Sequence, residues 1–366
     1  MASTSLYRTE SAGSRTTFTW SAWVKRSKVG STGFLASCSY SASDEAYFMF
    51  NGSDKLVWQT SSASYGDVQT NRLFRDTNAW YHIVLAFDTT QATASNRIRF
   101  YVNGVEETSF STATYPSQNT QVYWNVGGTY YPRIGKRHAN ADNFDGSMSH
   151  VVHIDGTQEL PTIFGETDST TGEWKIKTSI TPSVGWGTNG YHILKDGNSL
   201  TDQSGQGNNW TAIGTLTKTE DNPSNVFATL NPLSPSGSTY SNGNNNCSTV
   251  SGTYASRPTT STLGVSSGKY YTEIKLLAPN TGTPDYAMIG ITGRPLEAVT
   301  GSEQYQHLGS KTYDYAYHAY NGNLMNNSGG SNSGTAYGNT YTTNDIIGIA
   351  LDLDNNKLYF SKNGTW

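Results

Sequence analysis

The chain has 366 residues and a formal net charge of −4, and only 14% of its residues are charged. A nucleic-acid-binding protein needs a basic field to neutralise phosphates, so this composition argues against nucleic acid as a partner. Aromatic residues reach 12%, with 24 Tyr and 9 Trp, and this favours β-structure. Two cysteines, Cys38 and Cys247, provide neither a disulfide framework nor a thiolate zinc site.

The sequence lacks the apolar segments of a membrane or secreted protein. No run approaches the roughly 20 apolar residues of a membrane span, and the N-terminus has no signal-peptide core. We therefore expect a protein without a membrane span that is made in the cytoplasm.

Apolar and polar residues alternate from the first strong segment onward. Phe18 to Val24 alternates with period two, and short apolar runs follow at 34–36, 47–50 and 55–58. Short strands at this spacing, with no helical period, indicate a β-sandwich or jelly roll.

Two hairpins of similar sequence are predicted at 80–104 and 344–366. Each has an apolar strand, a polar turn and a second apolar strand that ends in Asn-Gly, at Asn103-Gly104 and Asn363-Gly364. Asn-Gly tolerates the positive backbone angles of a tight turn. Because a hairpin cannot bury its own apolar face, each one predicts a second sheet stacked over it. The chain is therefore predicted to form two sandwich units.

The order of the first strands is similar to a known family. The strings FTWSAWVKRS, NAWYHIVLAFD, RFYVNG and FDGSMSHVVHIDG resemble the strand series of a laminin-G-like or concanavalin-like jelly roll. Near the C-terminus, GKYYTEIKL, YAMIGIT, YDYAYHAYNGN and the second hairpin resemble a SPRY domain, a concanavalin-type sandwich that usually acts as a binding module. SPRY domains continue beyond this hairpin, so we expect later residues or another chain to complete the sheet.

The predicted fold class is thus all-β, with two concanavalin-type jelly-roll units. Residues 1–165 are assigned to the laminin-G-like unit, 166–246 to a turn-rich connector with short strands, and 247–366 to the SPRY-like unit.

The connector resembles virion structural proteins of tailed bacteriophages, particularly marine ones. The matching strings lie at 163–177, 186–190, 202–211 and 221–233. This resemblance implies a protein assembled in the host cytoplasm and exposed on the particle surface.

The sequence shows no catalytic signature. It has no paired glutamates of the E-x-D-x-E type, no G-x-S-x-G elbow, no P-loop and no H-E-x-x-H motif. His150 and His153 are three residues apart, which places them on opposite faces of a strand. We therefore predict a non-enzymatic protein without a required cofactor.

Calcium is the ion to consider, because laminin-G-like folds commonly bind it through loop oxygens. Asp142, Asn143 and Asp145 are candidate ligands, although polar turn residues before a strand account for them equally well. A second acidic run at 352–356 imitates the start of an EF-hand loop, but it lacks the required glycine and glutamate. We interpret it as the hairpin turn.

Two groups of residues are candidates for ligand binding. Tyr130, Tyr131 and Arg133 combine aromatic and cationic groups before the closing strand of the first unit. Tyr313, Tyr315 and Tyr317 recur with period two on one face of a strand, where aromatic rings stack on sugar rings or pack in a core.

The predicted function is attachment of a virion to host surface glycan or protein, as a tail fibre or a head fibre. The expected partners are further copies of the chain, most simply as a homotrimer, and other virion proteins. The alternatives are an architectural capsid decoration protein without a receptor, a secreted bacterial adhesin and a polysaccharide-cleaving spike.

Overall fold

A computed structural model of the chain describes residues 4–41, 43–61, 65–137, 142–234, 238–248, 259–277, 287–293, 307–328 and 333–366. Within these ranges all regular structure is β, apart from two short 3-10 helices at Ala94–Asn96 and Pro161–Ile163. The predicted all-β fold is confirmed. None of the helices in these ranges has the length and apolarity to cross a membrane.

The chain divides into two compact units. Unit 1 comprises Met1–Ala228 with Ser241–Gly243, and unit 2 comprises Thr229–Tyr240 with Asn244–Trp366. The strands before residue 229 are β1 (Ser5–Tyr7), β2 (Thr17–Arg26), β3 (Gly33–Ser41), β4 (Asp44–Phe50), β5 (Lys55–Thr60), β6 (Asp67–Leu73), β7 (Trp80–Asp88), β8 (Ile98–Val102), β9 (Val105–Glu107), β10 (Phe110–Thr114), β11 (Tyr131–Ile134), β12 (Gly146–Asp155), β13 (Gly165–Thr167), β14 (Trp174–Ile176), β15 (Tyr191–Ile193) and β16 (Thr211–Ile213). Those after it are β17 (Thr239–Ser241), β18 (Asn246–Ser248), β19 (Lys269–Lys275), β20 (Met288–Thr292), β21 (Asp314–His318), β22 (Asn323–Met325), β23 (Thr335–Ala336), β24 (Ile346–Asp352) and β25 (Lys357–Lys362).

Unit 1 is a sandwich of two antiparallel sheets. One sheet has eight strands in the order β10-β6-β5-β4-β3-β11-β1-β16, and the other has six in the order β15-β12-β2-β7-β8-β9. The segment predicted as the connector supplies β15 to the six-stranded sheet and β16 to the eight-stranded sheet.

The alternation in β2 explains the core of unit 1. Phe18, Trp20, Ala22 and Val24 point inward and are completely buried. The Phe18 ring stacks at 4.7 Å from Phe87 and at 5.3 Å from Trp124. Aromatic side chains bury large areas, so these positions contribute much of the stability of the sandwich.

The outer face of the six-stranded sheet is also buried. The hydroxyl of Thr19 on this face donates to the Thr157 carbonyl, and Phe164 and Trp186 belong to a second apolar cluster that covers the sheet. Residues 157–186 therefore form a cover over strands that simple alternation would leave half exposed.

The described part of unit 2 is built mainly of antiparallel sheets, of which the larger are a three-stranded and a four-stranded one. These two sheets have the strand orders β19-β24-β25 and β20-β21-β22-β23. Its core among the described residues consists of Ile289, Tyr317, Ala319, Tyr341, Ile347, Ile349 and Phe360. The prediction of two concanavalin-type sandwiches is confirmed.

Both predicted Asn-Gly turns are tight hairpins. Asn103 and Gly104 have φ of 49° and 81°, and Asn363 and Gly364 have φ of 51° and 79°. Left-handed angles at both central residues define the two-residue turn for which Asn-Gly is the favoured sequence.

Candidate functional site

A polar pocket of about 490 Å³ opens on unit 1, where β1 pairs with β16. It is lined by residues 7–11, 207–209 and Thr211, which are brought together because Tyr7 lies opposite Thr211 in the sheet. Small-molecule sites generally have volumes of about 300–1,000 Å³. We call this site the Arg8 pocket.

Arg8 is held rigidly in the wall of this pocket. Its Nη1 donates to Asn208 Oδ1 at 2.9 Å, and its Nη2 donates to the Asn189 carbonyl at 3.1 Å. The guanidinium also lies 5.6 Å from the ring centroids of both Tyr191 and Trp210. These contacts place a fixed positive charge beside the pocket and link the N-terminal strand to residues almost 200 positions away.

Glu10 lies next to this charge. Its carboxylate is 3.9 Å from Arg8 Nη2, its side chain is 2% exposed, and the Cys38 thiol donates to it at 3.3 Å. Burial raises the pKa of Glu10 to about 7, although Arg8 opposes the shift. Burial also raises the pKa of Cys38, so this thiol is not an activated nucleophile. The charge of the pocket therefore changes near neutral pH.

Asp202 organises the loop on the opposite side of the pocket. Its carboxylate accepts the backbone N–H of His192 and of Asn208, each at 2.9 Å, and that of Ser204 at 2.9 Å. Asn208 in turn donates from Nδ2 to the Gly190 carbonyl at 2.8 Å. The loop is thus a preorganised polar edge rather than a loose connection.

A row of four tyrosines surrounds Tyr130, which directly precedes β11, the strand that pairs with β1. Tyr130 stacks on Tyr123 at 6.2 Å and contacts Tyr40 at 5.7 Å, and Tyr123 meets Tyr65 edge-on at 5.5 Å. We call these four residues the tyrosine row. Tyr40 is 55% exposed, so the row presents aromatic surface to solvent.

Of the predicted ligand residues in unit 1, Arg133 is adjacent to the Arg8 pocket and Tyr130 belongs to the tyrosine row. Arg133 lies 5.9 Å from the ring centroid of Tyr7, its neighbour in the sheet. Tyr131 is 37% exposed on the same strand. Sequence reasoning missed Arg8, Glu10 and Asn208. The only available signal was the polar, glycine-containing string at 202–211, which the alternation pattern does not connect to β1.

Two segments of the chain match known families. Residues 3–158 match the model described as the concanavalin A-like lectin/glucanases superfamily, of the laminin G type. Residues 269–366 match the SPRY domain. The chain carries a laminin-G-like domain and a SPRY domain.

Curated relatives are similar over a short stretch only. The chain is 33% identical over 97 residues to Ran-binding protein 9 of Danio rerio, a match that spans 26% of this chain and 14% of that protein. It is 32% identical over 99 residues to the Ran-binding proteins 9/10 homolog of Drosophila melanogaster, spanning 27% of this chain and 9% of that protein.

Solved structures that align with part of this chain are distant in sequence. A pentraxin from Limulus polyphemus aligns with a TM-score of 0.30 at 15% identity, over 41% of this chain and 69% of that chain. The mouse laminin alpha1 chain, domains LG4-5, aligns with a TM-score of 0.30 at 13% identity, over 43% of this chain and 40% of that chain.

In the SPRY domain, the predicted tyrosines have different surroundings. Tyr317 is 2% exposed and packs 5.0 Å from Tyr341 in the core. Tyr313 and Tyr315 are 43% and 38% exposed. The solvent therefore reaches two of the three predicted side chains, and core packing uses the third.

The three candidate calcium ligands have different surroundings. Asp142 is exposed, Asn143 bridges to Phe34, and burial raises the pKa of Asp145. The described part of the chain contains no group of three or more His, Cys, Asp or Glu side chains placed to hold a metal. Calcium at this loop stays a prediction.

The acidic run at 352–356 forms the hairpin turn between β24 and β25, as predicted. Asp352 Oδ1 accepts the Asn355 N–H at 3.1 Å, and Asp354 Oδ1 accepts the Gly268 N–H at 2.8 Å. The oxygens that an EF-hand would direct to calcium here bind the protein's own backbone.

In a buried serine–histidine pair of the laminin-G-like domain, the hydrogen bond runs in the wrong direction for catalysis. The indole N–H of Trp174 donates to His82 Nδ1 at 3.0 Å, so His82 Nε2 carries the proton and donates to Ser21 Oγ at 2.9 Å. Burial lowers the pKa of His82 to about 3. A general base must accept the serine proton, and this nitrogen already holds one. The pair is therefore structural.

Proposed function

We propose that the chain is a non-enzymatic binding protein that recognises glycans through the Arg8 pocket and the tyrosine row. The observation that carries this proposal is a polar pocket at β1 together with an aromatic row, in which Tyr40 is exposed, beside β11, the strand that pairs with β1. Hydroxyl and amide side chains match the hydrogen-bonding groups of a sugar, and tyrosine faces match its C–H surface. The fixed guanidinium of Arg8 adds a preference for glycans that carry a carboxylate or sulfate.

The biological setting we propose is the surface of a tailed-bacteriophage virion, as a tail fibre or a head fibre that contacts the host. The strings within 163–233 that resemble virion proteins support this setting. Assembly as a homotrimer would fit weak glycan sites, because linking several sites raises avidity by roughly 10²–10⁴ without new contacts. Sedimentation of the purified chain tests the trimer, and locating the chain in an electron-microscopy map of the particle tests the setting.

The glycan proposal is tested with a tyrosine variant and a matched control. Tyr40→Ala removes a ring of the tyrosine row that is 55% exposed, and Tyr359→Ala removes a ring of unit 2 that is 49% exposed. We expect binding on an array of bacterial surface glycans to fall at least tenfold for Tyr40→Ala, with the control unchanged. Equal losses in both variants would overturn the proposed location.

A capsid decoration role without a receptor is the second candidate. The two roles differ in one outcome, because a decoration protein binds purified capsids but no glycan on the array. Release of reducing ends from host polysaccharide, abolished by changing one Asp or Glu, would contradict the non-enzymatic assignment.

A further inference from the structure

A β-bulge in β12 places a histidine beside a second histidine on β15. The pairing of β12 with β2 shifts register between Ser149 and Val152, and His150 has φ of 49° within this irregularity. The backbone N–H of His150 donates to the Leu194 carbonyl at 3.0 Å, which holds the bulge against β15. Bulges commonly redirect a side chain at a functional position.

The redirected imidazole lies close to His192. The two ring centroids are 5.6 Å apart with an angle of 47° between the planes. His192 lies opposite Val152 on the covered face of the sheet, whereas His153 on the other face contacts Phe18 and Asn125 in the core. The predicted separation of His150 from His153 is therefore confirmed, and the neighbour of His150 is a residue some 40 positions later in the chain.

The nitrogen atoms of this pair are set up to accept a ligand. His192 is 4% exposed, and its buried Nε2 makes no hydrogen bond with any residue that the structure describes. His150 Nδ1 lies 2.8 Å from Ser149 Oγ, which leaves its Nε2 for another partner. A buried nitrogen that makes no hydrogen bond is costly, so a structure that retains one calls for an explanation.

We propose that His150 and His192 together bind a divalent transition-metal ion of the Zn²⁺ and Cu²⁺ class. Two imidazoles on one tetrahedral ion, with metal–nitrogen distances of about 2.0–2.1 Å, have ring centroids roughly 5 Å apart. The observed centroid separation of 5.6 Å is close to this value. Imidazole nitrogen suits Zn²⁺ and Cu²⁺, and the Irving–Williams order predicts tighter binding of Cu²⁺.

Charges of both signs surround the pair. Lys195 acts on both rings and disfavours a cation, whereas Asp196 acts on both rings and Asp202 acts on His192, and these carboxylates favour one. Since the described residues hold no third ligand in position, water completes the coordination, and we expect micromolar rather than structural-site affinity.

A bound ion would join β12 to the segment that shapes the Arg8 pocket. The backbone N–H of His192 donates to Asp202, and Trp186 stacks 6.3 Å from the His192 ring and covers it. The ion would thus stabilise this segment. The inference does not depend on glycan binding, because the histidine pair lies outside the pocket lining.

The experiment uses the full chain without a histidine tag, treated with chelator and then dialysed against Zn²⁺ alone. We expect one equivalent to bind, at least tenfold weaker binding in His150→Gln, and unchanged binding in the control His307→Gln, which changes a histidine of unit 2. In Cu²⁺ titrations, electron paramagnetic resonance should show two nitrogen ligands in the parent chain and one in His192→Gln.

His150 is only partly buried, so His150→Gln is expected to fold, and its near-UV circular dichroism confirms this before binding is measured. Absence of a zinc equivalent in the parent chain, or parent-like affinity in folded His150→Gln, would overturn the proposal. Loss of glycan binding in the tyrosine variants would leave these readings unaffected.

Discussion

The hairpins of units 1 and 2 end in the same Asn-Gly turn, but the two turns have different surroundings. In unit 1 the backbone N–H of His82 donates to Asn103 Oδ1 at 2.8 Å, and the backbone N–H of Asn103 donates to the His82 carbonyl at 2.9 Å. In unit 2 the Ile346 N–H donates to Asn363 Oδ1 at 2.9 Å, and the Asn363 N–H returns to the Ile346 carbonyl at 2.8 Å. Equal local sequence has produced equal local structure.

The surroundings differ because unit 1 covers the outer face of its hairpin, whereas the described residues of unit 2 leave the corresponding face exposed. A Cβ added to Gly104 would lie 2.6 Å from the Trp174 ring, whereas one added to Gly364 would meet nothing within 4 Å. In unit 2, Tyr271 on β19 and Tyr359 on β25 are 56% and 49% exposed. The comparison shows that a turn motif specifies the strand pairing but not whether the sheet is buried on one face or both.

The largest effect is expected from core truncation. Trp20→Ala and Phe360→Ala should each cost about 3–5 kcal/mol, because both side chains are buried. The core of unit 1 is much larger, so we expect unit 1 to remain folded with a lower melting temperature and unit 2 to lose its fold. Hydrogen exchange measured by mass spectrometry resolves the two units. Persistent protection of β24 in Phe360→Ala would contradict the expected weakness of unit 2.

Alanine substitutions at Gly104 and Gly364 measure the effect of the Trp174 side chain, which covers only the first of these two turns. Both Gly104→Ala and Gly364→Ala place alanine at positive φ, which costs about 1–2 kcal/mol. Gly104→Ala also collides with Trp174, and overpacking adds about 1–3 kcal/mol. Chemical denaturation should therefore show the greater loss for Gly104→Ala. Equal losses would mean that contact with Trp174 does not destabilise the Gly104→Ala variant.

The free energy of unfolding of unit 1 is expected to depend on pH through the ionisation of Glu10. Its folded pKa of about 7 lies above the ordinary value of 4.5, so the stability contribution is full below pH 4.5 and is lost as the pH rises through 7. Glu10→Gln cannot ionise, so its stability relative to the parent should rise by about 2–3 kcal/mol between pH 5 and pH 9. Tryptophan fluorescence follows this unfolding, since all tryptophans except Trp366 precede residue 229. A constant difference between the two proteins would contradict the raised pKa.

The smallest effect is expected from the two turn asparagines, and it tests whether the two Asn-Gly turns are equally stable. Asn103→Ala removes one side-chain hydrogen bond, and Asn363→Ala removes a matching one and an exposed one from Nδ2 to Asp345 Oδ1 at 2.7 Å. Each variant places alanine at φ near 50°, at a cost of about 1–2 kcal/mol. We expect similar losses in the two units, measured by hydrogen exchange of β7 and β24. A loss confined to one unit would show that the surroundings, rather than the turn, determine the stability of this motif.

Local patterns determined the strands, the hairpins and the two sandwiches. Side chains of a strand alternate between faces, so Phe18 to Val24 predicts both the strand and its inward side. Asn-Gly at 103–104 and 363–364 predicts the turns, because few residues adopt left-handed angles at low cost. The candidate residues Tyr130 and Arg133 followed from composition in the same way, and the structure places one in the tyrosine row and the other against Tyr7.

Only the tertiary structure decided what covers each face and which distant residues meet. Arg8 joins Asn208, Trp174 covers His82, and His150 meets His192 across separations that no short-range pattern encodes. The physical reason is that alternation states which way a side chain points, whereas its neighbour depends on strand order and on the path of the loops. The sequence by itself therefore determined the scaffold of this protein, and the folded chain determined its pocket and its histidine pair.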